Sequence, residues 1–216
     1  MSHSTENPIP TRAFAFYPVS FLVVLVLLGC FSLNAFAAEE ENASSTITLF
    51  FEGFEGAFPQ DNFWAVGDSN PQGGLDYWDD IAGGYSGSNS VWAAGIGSQS
   101  DTGQINLNVG HYDDYMDAFM ISRPISLAGI TNPKLTYQAL VIAEPDTTFP
   151  YYDYFNTYIS TDGVNWTTLS GQWNTTFGNW FFFQHDLSQY EGSTIFLRFL
   201  FHTDESVHNY YGARVD

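Results

Sequence analysis

Thr194-Ile-Phe-Leu-Arg-Phe-Leu-Phe-His202, a short acidic loop and then Tyr211-Gly-Ala-Arg-Val-Asp216 close the chain. Ile195, Leu197, Phe199 and Phe201 alternate with Thr194, Arg198 and His202, which is the period of a strand with one buried face. A second strand begins at Tyr211 and stops at Asp216. A β-domain that stops in mid-strand lacks a hydrogen-bonding partner where it needs one, so the sequence reads as the front of a longer protein with further domains downstream.

The same alternation recurs upstream. Lys134-Leu-Thr-Tyr-Gln-Ala-Leu-Val-Ile142 puts Leu135, Tyr137, Ala139 and Val141 on one face. Tyr154-Phe-Asn-Thr-Tyr-Ile-Ser160 does so with Phe155 and Ile159, and Thr157 between them. Asp162-Gly163 is a turn signal, after which residues 166–169 return as a strand with Trp166 on the core. Residues 180–186 make another strand, and residues 187–192 a connection. Further strands are expected over residues 46–51, 90–94 and 117–122, with a loop over 95–110. Residues 54–90 are rich in Gly, Asp and Asn and too long for a hairpin loop, so they carry a site or are pinned by an ion. No stretch of the mature chain has a helical period. Short strands at regular spacing predict an all-β fold, an antiparallel β-sandwich, and the long early connections favour the jelly-roll type.

The 20 Phe, 13 Tyr and 6 Trp supply a large core. Against 24 acidic residues stand 5 basic ones, a net charge of −19. Such a surface repels phosphate backbones and excludes nucleic acid as a natural partner. It suits an extracellular protein that binds divalent cations, or one living in salt, and also serves solubility.

Residues 1–37 read as an export signal. Arg12 supplies the positive charge, an apolar run begins at Phe21, and Ala35-Phe-Ala37 fits a small-x-small cleavage site. About 13 apolar residues are short of the roughly 20 a bilayer span needs. Leu27-Leu-Gly-Cys30 also fits a lipoprotein box, but the apolar run continues past it. Residues 38–45 are a short polar linker, and the domain spans 46–216. Cys30, the only cysteine, lies in the leader, so the mature chain has no disulfide. A secreted domain of this kind needs other staples, and calcium in acidic loops is one. The chain is expected to be secreted or extracellular, with no membrane contact by the mature domain.

Phe54-Glu-Gly-Ala-Phe-Pro59, Asp76-Tyr-Trp78, Ser90-Val-Trp-Ala93, Met120-Ile-Ser-Arg-Pro-Ile-Ser-Leu127, Ser160-Thr-Asp-Gly-Val-Asn-Trp166 and Gly212-Ala-Arg-Val-Asp216 occur in this order. In motif order and spacing the chain resembles MAM-like jelly-roll modules, above all the domain that accompanies immune inhibitor A-type secreted peptidases. It is also similar to cleaved-adhesin domains of bacterial surface proteinases. The resemblance covers residues 49–216. In that family the closing strand reads on through a second aspartate, which implies that this chain is C-terminally incomplete. The resemblance implies an extracellular accessory or adhesion module, often calcium-bound, and no catalysis.

Acidic residues at three of these motif positions approach one ion in MAM-like modules. The resemblance therefore implies calcium at Glu55, Asp76 and Asp216, with Glu52, Asp68, Asp79 and Asp80 as substitutes. Calcium takes six to eight oxygens, gathered from loops. Loop tyrosines Tyr112, Tyr115, Tyr151, Tyr152, Tyr210 and Tyr211 beside Asp, Asn and His suit a glycan partner through ring stacking. No two histidines have HExxH spacing, no Gly-x-Ser-x-Gly elbow is present, and the adjacent acids Asp79-Asp80 and Asp113-Asp114 point apart, so no enzymatic site is expected. His202 and His208 flank Asp204-Glu205 with loose spacing. The reading is a calcium-stabilised module that binds an extracellular glycan or protein. Its competitor is the non-catalytic companion of a secreted metallopeptidase.

Overall fold

The alternation over residues 194–202 becomes a strand at the heart of one of two antiparallel sheets. The computed structural model describes residues 46–216 apart from 57, 60–62, 71, 73–75, 98–110 and 207–208. The export signal and linker expected over residues 1–45, and most of the loop expected over 95–110, lie outside the described residues. The chain divides into two units, Met1–Ile47 and Thr48–Asp216, and all the strands below belong to the second.

In chain order these are β1 (Trp64–Asp68), β2 (Asp76–Ala82), β3 (Asn89–Gly97), β4 (Asp117–Ser122), β5 (Ile125–Ser126), β6 (Lys134–Ile142), β7 (Tyr154–Ser160), β8 (Thr167–Thr168), β9 (Phe181–Asp186), β10 (Thr194–His202) and β11 (Gly212–Val215). One sheet runs β1-β4-β10-β7-β8, with β5 also pairing β10, and the other runs β2-β3-β11-β6-β9. A 3-10 turn covers Ser188–Tyr190. No helix among the described residues is long and apolar enough to cross a membrane. The all-β antiparallel sandwich expected from the sequence is the fold observed.

The core lies between the sheets and is built from rings. Every second residue of β10 from Ile195 to Phe201 is buried. Phe199 of β10 meets Tyr137 of β6 edge-on at 5.1 Å, and Phe155 of β7 meets Trp78 of β2 at 6.4 Å. Each such ring removed from water contributes roughly 1.5–3 kcal/mol, and the edge-to-face contacts add about 0.5–1.5 kcal/mol. Their polar atoms are satisfied across the core: Trp78 Nε1 donates to the Ala118 carbonyl at 3.0 Å, and Tyr137 Oη bonds Thr157 Oγ1 at 2.7 Å. Thr157 can thus sit fully buried in β7 between Phe155 and Ile159.

Neighbours in sequence, β10 and β11 belong to different sheets. All four residues of β11 are buried between β3 and β6. The ladder continues through Asp216, which donates its N–H to the Gln138 carbonyl at 3.0 Å and accepts the Gln138 N–H at 2.7 Å.

Three sequence expectations change, the first being that residues 54–90, read as one long connection, hold β1 and β2. Residues 46–51 carry no strand; Leu49 and Phe51 are exposed, and Phe50 instead stacks on Phe63 at 3.8 Å. The ladder position beside β4 is taken by β1, running from Trp64 opposite Ser122 to Asp68 opposite Ala118. That strand hides in sequence because Gly67 breaks its pattern. The glycine is required there, since a Cβ would come 2.5 Å from Phe119 Cζ, whose ring lies across it. Trp166 does not pack on the core: it is half-buried on the outer side of the first sheet, over Arg198. The Asp162-Gly163 turn forms as expected. Gly163 takes φ 74°, and the Asp162 carboxylate accepts the N–H groups of Val164 and Asn165 at 2.8 and 2.7 Å.

Candidate functional site

Residues 83–88 join β2 to β3 as a tight loop closed by the Gly83 N–H to the Ser88 carbonyl at 2.6 Å. Charged side chains reach it from both ends of the domain. Glu55 Oε1 accepts the N–H groups of Ser88 and Asn89 at 2.7 and 2.9 Å. Asp216 Oδ2 accepts the Ser86 N–H at 2.8 Å. Arg214, buried in β11, donates Nε to Ser90 Oγ at 2.9 Å and Nη2 to the carbonyls of Ala82, at 3.1 Å, and Gly83.

The loop is built on glycine for steric reasons. A Cβ on Gly84 would stand 2.6 Å from both Ser86 O and Asp216 Oδ2, and closer still to Asn89 O. Three oxygens therefore crowd the space beside Gly84 Cα, each within 2.6 Å of where a Cβ would stand. Gly87 has φ 73°, and a Cβ there would collide with Glu55 Oε1. Accepting the Asn89 and Ser88 N–H bonds holds the Glu55 carboxyl below its ordinary range, so it stays ionised.

The structure thus brings together two of the three expected ligands, Glu55 and Asp216. Asp76 is not brought to them. It opens β2, whereas the loop follows Ala82 at the far end, about 20 Å along the strand; its side chain lies outside the described ones. Of the expected substitutes, Glu52 Oε1 accepts the Phe54 N–H at 2.8 Å, and Asp68 Oδ1 accepts those of Asn70 and Asp117 at 2.8 and 3.0 Å. Asp79 lies within β2, where burial pushes its carboxyl up to about 6. What sequence reasoning missed here is backbone: the carbonyls of Ser86 and Asn89 leave no residue-type signal. Arg214 was legible only as part of the closing motif.

A second group of acids gathers where the β6–β7 and β10–β11 connections meet. One carboxylate oxygen each from Glu144, Asp153 and Asp204 lies within 4.8 Å of the others. Asp153 is fully buried; it accepts the Tyr112 hydroxyl at 2.5 Å and the Asp204 N–H at 2.9 Å. Desolvation pushes Asp153 up to about 6 and also raises Glu144. Tyr112, expected in a binding loop, is fully buried, with its ring 5.0 Å from Phe201. Tyr211 likewise stacks on Trp92 at 5.6 Å, and Tyr152 is exposed. His202 Nδ1 is paired with Asp117 Oδ1 at 2.7 Å; His208 lies outside the described residues.

No protein-family profile matches the chain, and no curated protein matches it. Solved structures similar to it include three cleaved adhesin domains of Lys-gingipain, of which K1 and K3 are from Porphyromonas gingivalis W83. The K1 domain has a TM-score of 0.48 at 17% identity, covering 76% of this chain and 95% of that one. The K2 domain has 0.42 at 17%, over 71% and 85%. The K3 domain has 0.44 at 14%, over 76% and 93%.

Proposed function

We propose that this chain carries a binding or adhesion module of jelly-roll type, secreted or held at the extracellular surface, in which a structural calcium ion ties the entry segment to the closing strand. One observation carries the calcium reading. Glu55 and Asp216, 161 positions apart in sequence, aim their carboxylates at the same short loop, where the carbonyl oxygens of Ser86 and Asn89 also converge. Asp216 Oδ2 and the two carbonyls are oxygens of the kind a hard cation takes, the Glu55 carboxylate adds negative charge on the same loop, and water would complete the shell. The binding role rests on the order of the sequence motifs, and the export signal read in residues 1–37 supports an extracellular location. The partner class is an extracellular glycan or protein.

The test is thermal unfolding in EDTA and then in millimolar calcium. An ion that binds only the native state raises stability by RT ln(1 + [L]/Kd), so micromolar affinity shifts the melt by several degrees. The expected result is an upward shift lost in Asp216→Asn. A shift kept in Asp216→Asn but lost in Asp204→Asn moves the ion to the Glu144–Asp153–Asp204 group. A cooperative melt with no shift at all overturns the reading.

A further inference from the structure

Arg198 stands on the outer face of the first sheet, opposite Ile121 of β4 and Tyr158 of β7. Its guanidinium carbon lies 5.0 Å from the ring centre of Phe119, 5.9 Å from that of Tyr158 and 6.0 Å from that of Trp166. The Nε atom is buried and has no acceptor, and the guanidinium makes no hydrogen bond or ion pair among the described residues. Arg214, by contrast, spends its donors on Ser90, Ala82 and Gly83. Asp117, whose charge acts on Arg198, has an oxygen 2.7 Å from His202 Nδ1. In a chain with 24 acidic residues and 5 basic ones, an arginine left without a carboxylate needs a reason.

Cation–π attraction offsets only part of the cost of desolvating a guanidinium whose Nε has no acceptor. The rings position the guanidinium without satisfying it. Phe119 is fixed by its seat on Gly67, and Trp166 is delivered by the Asp162-Gly163 turn. What remains for a ligand is the pair of Nη amino groups, planar N–H donors whose geometry matches a carboxylate. It is bordered by the half-buried rings of Tyr158 and Trp166, with Tyr154 and His202 further along the same face, 4.9 Å apart. Sugar rings stack on such aromatics while their hydroxyls take polar side chains.

We propose that this face binds an acidic saccharide, with Arg198 pairing the sugar carboxylate and Tyr158 and Trp166 receiving the ring. The proposal rests on the reading of the chain as an extracellular binding module, and it names the ligand class and the surface. The net charge of −19 does not oppose it at contact range, because exposed charges beyond about 8 Å are screened at physiological salt.

The experiment is titration calorimetry of the full chain with tetragalacturonate and with sialyllactose. Controls are the methyl ester of the first, which keeps the sugar and removes the charge, and a peptide with a free C-terminal carboxylate. Binding of at least one acid probe is expected, weakened about tenfold or more by esterification and by Arg198→Gln. Trp166→Ala, outside the strand ladder, gives a second variant expected to weaken binding at an unchanged melting temperature. Equal binding of acid and ester, undiminished binding by a folded Arg198→Gln protein, or no binding of either sugar acid at millimolar concentration overturns the proposal. Preference for the peptide also overturns it, in favour of a protein terminus as ligand. Each titration is run in EDTA and in calcium, so that failure of the calcium staple is read separately from failure of the Arg198 surface.

Discussion

Asp216 Oδ2 accepts the backbone N–H of Ser86 at 2.8 Å across 130 positions of sequence. Glu55 takes two further amides, those of Ser88 and of Asn89 at the start of β3. The loop between β2 and β3 is thereby clamped by the segment entering the domain and by the strand closing it. Loosening either one frees amides that the sheets do not use, so order at the two ends is coupled through residues 83–88 and the start of β3.

Neutralising one clamp separates its charge from its hydrogen bond. Asp216→Asn keeps an oxygen for Ser86 while removing the negative charge. The variant is expected to change the melt in EDTA little, by less than about 1 kcal/mol, and to lose the several-degree rise in millimolar calcium. Differential scanning calorimetry with and without the ion reads both effects.

Gly87 carries the steric argument. Its φ of 73° disfavours any L side chain, and a Cβ would press on Glu55 Oε1. Gly87→Ala is expected to lower stability by about 1–3 kcal/mol. Gly171 has open space where a Cβ would stand, so Gly171→Ala is the control expected to stay within about 0.5 kcal/mol. Urea midpoints of the two variants decide the matter.

A pH dependence follows from Asp153, whose carboxyl burial raises from an ordinary 3.8 to about 6. The folded state then holds the proton more tightly than the unfolded chain. This contribution to stability is fully present below about pH 4 and lost as pH rises to about 6, a loss on the order of 3 kcal/mol. Glu55 and Asp186 are shifted the other way by the N–H groups and hydroxyl they accept, and their contributions fade only on acidification below about pH 4. Unfolding free energies across pH 4 to 7 should fall in the native chain and fall less steeply in Asp153→Asn, the remaining slope coming from Asp79, which burial also raises to about 6; an unchanged slope in the variant would rule Asp153 out as a source.

Tyr137→Phe tests the polar link inside the core. The hydroxyl bonds Thr157 Oγ1 at 2.7 Å where both residues are buried, so its removal leaves a buried polar atom short of a partner. A loss of about 1–2 kcal/mol with unchanged secondary structure is expected by circular dichroism during denaturant unfolding.

Strands whose apolar residues recur at every second position were legible from the sequence. The runs at 134–142, 154–160 and 194–202 form there because a two-residue period leaves one buried face in any sheet they join. The motifs that contain Glu55 and Asp216 also singled out two acids that the fold sets on one loop. The rest needed three dimensions. β1 and β2 hid in a stretch rich in Gly, Asp and Asn because ladder partners, and not local pattern, make them strands. Asp76 stood beside its fellow acids in the motif order, yet a strand's length sets it apart from them. Tyr112 and Trp166 exchanged their expected surroundings, the tyrosine fully buried and the tryptophan on an outer face, because side-chain burial depends on which strand crosses above it. Local periodicity determined which segments extend; only the pairing of distant strands decided which loops, carbonyls and charges meet.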